Sequence, residues 1–167
     1  MVSDLKKEIE EIKKSKEFIE YKDKNEESYL SSCFLFYEDS ENALWQFNFY
    51  NPKEDNMTIF MHEKEIEVKG PEKIAREKES KVEELDIKRV KLSFDKALEK
   101  INKLRDKKYK NEIPDKTIVV LQSLNKKVVW NISFLTQQSN LLNFKVNASS
   151  GKILEHKLNS VMEFKAK

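Results

Sequence analysis

Two histidines, one cysteine and 30 carboxylates are the side chains of this chain that could do chemistry, and their spacing argues against it. A metal centre needs three or four His, Cys or carboxylate ligands at close, regular spacing. Neither His62 nor His156 has a second His or Cys at such a distance, so no metal site is expected. A phosphate cradle needs a glycine-rich loop, and Gly70 and Gly151 are the chain's two glycines. No nucleophile-elbow motif announces a Ser, His and Asp set. The carboxylates stand among lysines at helical i, i+4 spacing, which makes them solvated ion-pair partners rather than an acid/base pair. Cys33 lies in the apolar run YLSSCFLFYE, where a thiol packs as a small apolar residue; a single cysteine also excludes an intrachain disulfide. Three Asn-x-Ser/Thr triplets, at Asn56, Asn131 and Asn147, fall in or beside strand-like runs and carry no argument. The sequence therefore predicts no catalytic, cofactor-binding or metal-ligating residue and no enzymatic activity.

Charge narrows the partners. The 32 basic and 30 acidic residues nearly cancel to +2 and are interleaved along the chain, so no basic stripe exists to hold nucleic acid. No run of about 18 apolar residues is present, and MVSDLKKEIEEIKK lacks the apolar stretch of a signal peptide, so no membrane insertion is expected. As written the chain reads as soluble and cytoplasmic; it reads as extracytoplasmic if an N-terminal anchor or signal was removed.

The elements that must position any site are written twice. Trp45 and Trp130 stand 85 positions apart. At that offset Phe34, Phe36, Phe47, Phe49, Met57, Ile59, Met61 and Val68 fall on Val119, Leu121, Ile132, Phe134, Leu142, Phe144, Val146 and Ile153. Ser3, with Asp4 behind it, is the expected N-cap of a helix over residues 4–21 that carries Leu5, Ile9, Ile12 and Ile19 on one face. Ser93 and Asp95 open a second helix with Phe94, Ala97, Leu98, Ile101 and Leu104 on one face; at the offset Lys16 stands against Ile101 and breaks the match. Each helix is followed by strand-like runs separated by turn residues such as EDSEN and PKED. The fold class is α+β, as two tandem units in which a helix packs on an antiparallel meander of three to four strands. The units span residues 1–70 and 89–167. A charged linker over 71–88, opened by Gly70 and Pro71, separates them, and its Leu85, Ile87 and Val90 either add a short strand or dock on the second unit.

Register arithmetic assigns faces. Pairing Phe36 with Trp45, Phe34 with Phe47 and Phe49 with Met57 places those side chains toward the first helix; in the second unit Leu121, Trp130 and Val146 form one row and Val119, Ile132 and Phe144 the next. That register turns Cys33, Leu35, Tyr37, Leu44, Tyr50 and Phe60 away from the helix, and Ile118, Val120, Val129 and Leu135 in the second unit. Leu35, Tyr37, Leu44, Tyr50 and Phe60 are the candidate contact face, with Lys145 at the place of Phe60 marking the first unit as the one that carries it. A soluble protein covers so much apolar area against a partner, its other unit or a second copy.

Within the second unit, SFDKALEKI, then VVWNISF, then FKVNASSGKIL resembles the PepSY domain pattern. A helix with an Ala-Leu pair leads into strands that close on a hairpin, whose places are held by Val146, Asn147, Ala148, Ser150, Gly151, Lys152 and Ile153. Asn147 stands for the usual Asp and Ser150 for the usual Thr. The resemblance covers residues 90–156, and the first unit joins it by internal analogy. It implies a cystatin-like helix wrapped by an antiparallel sheet, an association with peptidase propeptides and extracytoplasmic proteins, and binding or restraint of proteins without catalytic residues. The expected function is a non-catalytic protein- or peptide-binding module that restrains a peptidase or mediates assembly, including homo-oligomerisation. The alternative is a carrier of a small apolar ligand in the helix–sheet concavity, which would call for small or polar residues facing the helix.

Overall fold

The computed structural model describes residues 2–74 and 81–162. The chain runs α1 (Leu5–Lys14), α2 (Lys16–Lys24), β1 (Tyr29–Tyr37), β2 (Gln46–Asn51), β3 (Asn56–His62), β4 (Ile66–Lys73), α3 (Phe94–Lys108), β5 (Pro114–Leu124), β6 (Lys127–Thr136), β7 (Asn140–Asn147) and β8 (Ile153–Ser160). All eight strands form one antiparallel sheet in the order β4-β3-β2-β1-β5-β6-β7-β8. The two halves meet edge to edge through β1 and β5, from Ser32↔Gln122 to Tyr37↔Thr117, instead of covering each other face to face. Their apolar sides form one cluster. At its centre the Trp45 and Trp130 rings lie 6.0 Å apart, and Phe94 sits 5.8 Å from one and 5.7 Å from the other.

The first helix is broken. Ser15 is extended (φ −71°, ψ 152°); its N–H donates to Ile12 O, and its Oγ accepts from Phe18 N, so one residue ends α1 and caps α2. The break rotates the phase of the apolar stripe: Phe18 is buried and Ile19, expected on the inner face, is 51% exposed. Asp4 rather than Ser3 caps α1, accepting from Lys6 N and Lys7 N, while Ser3 Oγ donates to Glu8. In the second half α3 follows the sequence reading, with Ser93 as cap and Phe94, Ala97 and Ile101 buried.

Strand register divides the same way. In the second half Leu121, Trp130 and Val146 pair in one row and Val119, Ile132 and Phe144 in the next, as the alternation required. In the first half both hairpins are shifted by one residue. Phe47 pairs with Cys33 on one side and Phe60 on the other, and Gln46 lies between Phe34 and Met61. Because side chains alternate, a one-residue shift exchanges the faces. Cys33, Leu35, Tyr37 and Phe60 point to the helices, and Phe34, Phe36, Met57, Ile59 and Met61 point away. Strand β4 also runs through Gly70 and Pro71 to Lys73, so the first half extends past the expected start of the linker. Gly70 is needed there: its φ is +104°, and a Cβ would stand 2.8 Å from Met57 O.

Residues 75–80 of the expected 71–88 linker, Met1, and residues 163–167 of the second unit lie outside the described residues. The rest of the linker docks on both halves. Leu85 N donates to Leu30 O at 2.8 Å and Leu85 is buried; just past the linker Val90 is buried, and Lys91 N and Leu92 N both donate to Ala148 O at 2.9 Å. Ile87 belongs to a 3-10 turn, not a strand. The Glu83 carboxylate accepts from Lys126 N, Asn125 N and Ser123 Oγ at 2.7–3.0 Å. Those bonds, led by the one from Lys126 N, hold its carboxyl below the usual carboxylate range. A depressed folded pKa adds stability that is present above the unfolded value and lost as pH falls through the folded one. Glu83→Ala is thus expected to lower the melting temperature by about 2–4 °C at neutral pH, the equivalent of about 1 kcal/mol. The gap from the parent, read by circular dichroism, should shrink as the pH is taken below about 4.

Candidate functional site

Among the described residues every helix lies on one side of the sheet, and the other side is uncovered and apolar at the β1–β5 joint; toward one end of the strands the outward Tyr50 and Val129 are buried. Across the β1–β5 joint Phe34 pairs with Val120 and Phe36 with Ile118. Leu135 flanks this seam on β6, and Ile59 and Met61 lie farther out on β3, beyond the polar Asn48 and Gln46 of β2. Phe36 is 44% exposed, and the others are half-buried. Amides and hydroxyls border the apolar rows and bond one another. Asn143 Nδ2 donates to Asn131 Oδ1 at 2.6 Å and to Ser133 Oγ at 2.8 Å, and Asn48 Nδ2 donates to Ser32 Oγ at 2.9 Å. Protein interfaces are commonly apolar at the centre and polar around the rim.

The residues expected to form the contact face are scattered by the shifted register. Leu35 and Phe60 are fully buried in the core. Phe60 is ringed by Phe18, Tyr21 and Phe49 at 5.4, 5.2 and 5.5 Å between centroids, so Lys145, which faces outward, is not its counterpart. Tyr37 points to the helices and packs against the core. Tyr50 faces outward but is buried, its ring edge-on to Tyr29 at 5.7 Å and its hydroxyl donating to Asp55 at 2.5 Å. Leu44 is half-buried just ahead of β2. The outward residues the sequence reading assigned to the core are Phe34, Phe36, Met57, Ile59 and Met61.

The titratable groups stay apart. His62 Nδ1 lies 3.1 Å from Glu11 Oε2, while His156 Nδ1 bonds Tyr109 Oη at 2.6 Å at the far edge of the sheet. Burial pushes the Cys33 thiol well above its ordinary pKa, which suppresses the thiolate that reactivity needs. Burial likewise raises the Glu8 carboxyl. No group of three or more potential metal donors occurs among the described residues. A cleft of about 410 Å³ opens between the N-termini of α1 and α3, over Trp45, Phe94 and Trp130. Both indole N–H groups there already donate to backbone, Trp45 to Ser3 O and Trp130 to Leu92 O. No described helix is long and apolar enough to cross a membrane.

The β7–β8 turn explains why Asn147 is acceptable. Its Oδ1 accepts from Ser149 N at 2.8 Å and Ser150 N at 3.0 Å, and Gly151 follows with φ +80°. Residues 91–157, which contain this turn, match the PepSY family model, described as "Peptidase propeptide and YPEB domain". Among solved structures, the crystal structure of a candidate lipoprotein from Clostridium difficile 630 has the same fold. Its TM-score is 0.55 at 17% identity, over 86% of this chain and 90% of that one. No curated protein matches the chain.

Proposed function

With a PepSY domain over residues 91–157, we propose that this chain is a non-catalytic module that binds a peptidase or a peptidase-linked protein on the open face of its sheet. The observation that carries this reading is the uncovered apolar seam of Phe34, Phe36, Ile118 and Val120. The family's description as a peptidase propeptide supplies the partner class. On this reading residues 1–70 and 89–167 are two copies of one unit, the first giving Phe34 and Phe36 to the seam and the second Ile118 and Val120. The likeness to a candidate lipoprotein supports an extracytoplasmic setting.

The test compares the parent with Phe36→Lys. Burying a phenylalanine contributes about 1.5–3 kcal/mol, so the charged variant should weaken capture of a peptidase from secreted and membrane fractions by about tenfold or more. Its melting temperature should stay close to the parent's, because Phe36 leaves the core untouched. The captured peptidase should lose activity when the parent chain is added in excess. Equal retention by parent and variant, or a peptidase indifferent to the chain, would refute the proposal.

A further inference from the structure

Strand β8 contains Leu154, Glu155, His156, Lys157 and Leu158, a run that reads apolar, charged, His, charged, apolar from either end, with the charge inverted. It forms one edge of the sheet, paired on one side by β7 and, among the described residues, open on the other. From Asn140↔Ser160 to Lys145↔Glu155 its pairing is unbroken, so its free row of backbone donors and acceptors has regular strand geometry from Glu155 to Ser160, and Leu154 stands at the register shift that follows. Leu158 is 39% exposed on the helix side, beside His156, which Tyr109 holds in place, and Leu154 is 38% exposed at the register shift; Glu155 and Lys157 lie on the outer side. The opposite edge, β4, is blunted: Pro71 has no N–H to offer, and Glu65, Glu67, Lys69, Glu72 and Lys73 crowd it with charge.

We propose that two copies of this chain join along β8, antiparallel about a two-fold axis through His156, into a continuous sheet of sixteen strands. In that register Leu154 faces Leu158 of the second copy, and Glu155 faces Lys157, twice each. Centring the axis on Glu155 or Lys157 would oppose like charges, which disfavours those alternatives. The joint repeats between chains what β1 and β5 make within one, and it keeps all helices on one side. It goes beyond the peptidase reading and is independent of it, because the seam around Phe36 stays uncovered in the dimer.

Two experiments on the full chain test it. Antiparallel partners lie about 4.5–5.5 Å apart between Cα atoms, within disulfide range, so mild oxidation of His156→Cys should give a covalent dimer. Asn159→Cys, far from its own counterpart in this register, should give none, and the buried Cys33 supplies a silent background. In sedimentation, Glu155→Lys and Lys157→Glu should each raise the dimer dissociation constant by about tenfold, while their equimolar mixture recovers it as a heterodimer with complementary charges. Glu155 also pairs with Lys145 at 3.3 Å within the chain, so Glu155→Lys costs a little stability by itself; unchanged melting of Lys157→Glu, together with recovery of the dimer in the mixture, separates loss of association from loss of fold. A chain that stays monomeric up to about 1 mM, cross-linking as strong at Asn159 as at His156, or a mixture no tighter than its components would overturn the proposal.

Discussion

Truncating either Trp45 or Trp130 to alanine is expected to destabilise the entire sheet, not the half that carries it. Each ring is about 1% exposed. Each packs on the other and on Phe94, and each indole N–H is bonded to backbone at the start of a helix, Ser3 O for one and Leu92 O for the other. Loss of a large buried aromatic costs about 3–5 kcal/mol, a large share of the 5–15 kcal/mol that holds a typical domain together. Since the rings touch, the double variant should depart from the sum of the singles by about 0.5–3 kcal/mol. Urea unfolding followed by circular dichroism and by the remaining tryptophan's emission should give coincident transitions in both single variants. A mutated half that melts first and leaves the other intact would show that the core is not shared.

Phe60→Lys should abolish folding, while Phe36→Lys should leave melting nearly unchanged, although both positions lie in apolar strands of the first half. Phe60 is fully buried among three aromatic rings. The substitution removes a core aromatic, worth about 3–5 kcal/mol, and forces an unpaired ammonium into apolar surroundings at further cost. Phe36 points to solvent from the central seam, where a lysine can extend into water. Soluble yield and thermal melting of the two variants measure the contrast directly. A folded Phe60→Lys protein would mean that the β2–β3 register is wrong by one residue.

The different legibility of the two halves in sequence has a physical cause. Strand β6 alternates cleanly at its centre, with Trp130, Ile132 and Phe134 inward and Asn131 and Ser133 outward, so its face was readable. The tight turn at Asn125 and Lys126, both at positive φ, fixes its pairing with β5. Strand β1 runs Cys33, Leu35 and Tyr37 on one face and Phe34 and Phe36 on the other, apolar on both sides. Strand β3 does the same with Phe60 against Ile59 and Met61. A strand apolar on both sides carries no parity signal, so only turn length bears on its pairing. The 3-10 turn over Ser40–Asn42 sets the β1–β2 pairing one residue away from the one that turn length implies. The helix break announced itself faintly, as the mismatch of Lys16 with Ile101 in the repeat, one residue from Ser15. The PepSY hairpin was legible because its turn chemistry is local: Asn147 and Gly151 act within five residues of each other.

The β1–β5 joint also sets an order of events during synthesis. Strand β1 can pair with β2 as soon as the first half leaves the ribosome, but its partners on the other side, from Tyr37↔Thr117 to Ser32↔Gln122, lie 80 to 90 residues downstream. Until β5 is made, β1 presents a raw apolar edge, the kind of template that captures other nascent chains. The second half carries its strands as short-range hairpins and can assemble without delay once translated, whereas the seam must await closure of a long loop. Seam formation should accordingly be the late step, and polysome crowding the condition under which this chain most readily aggregates.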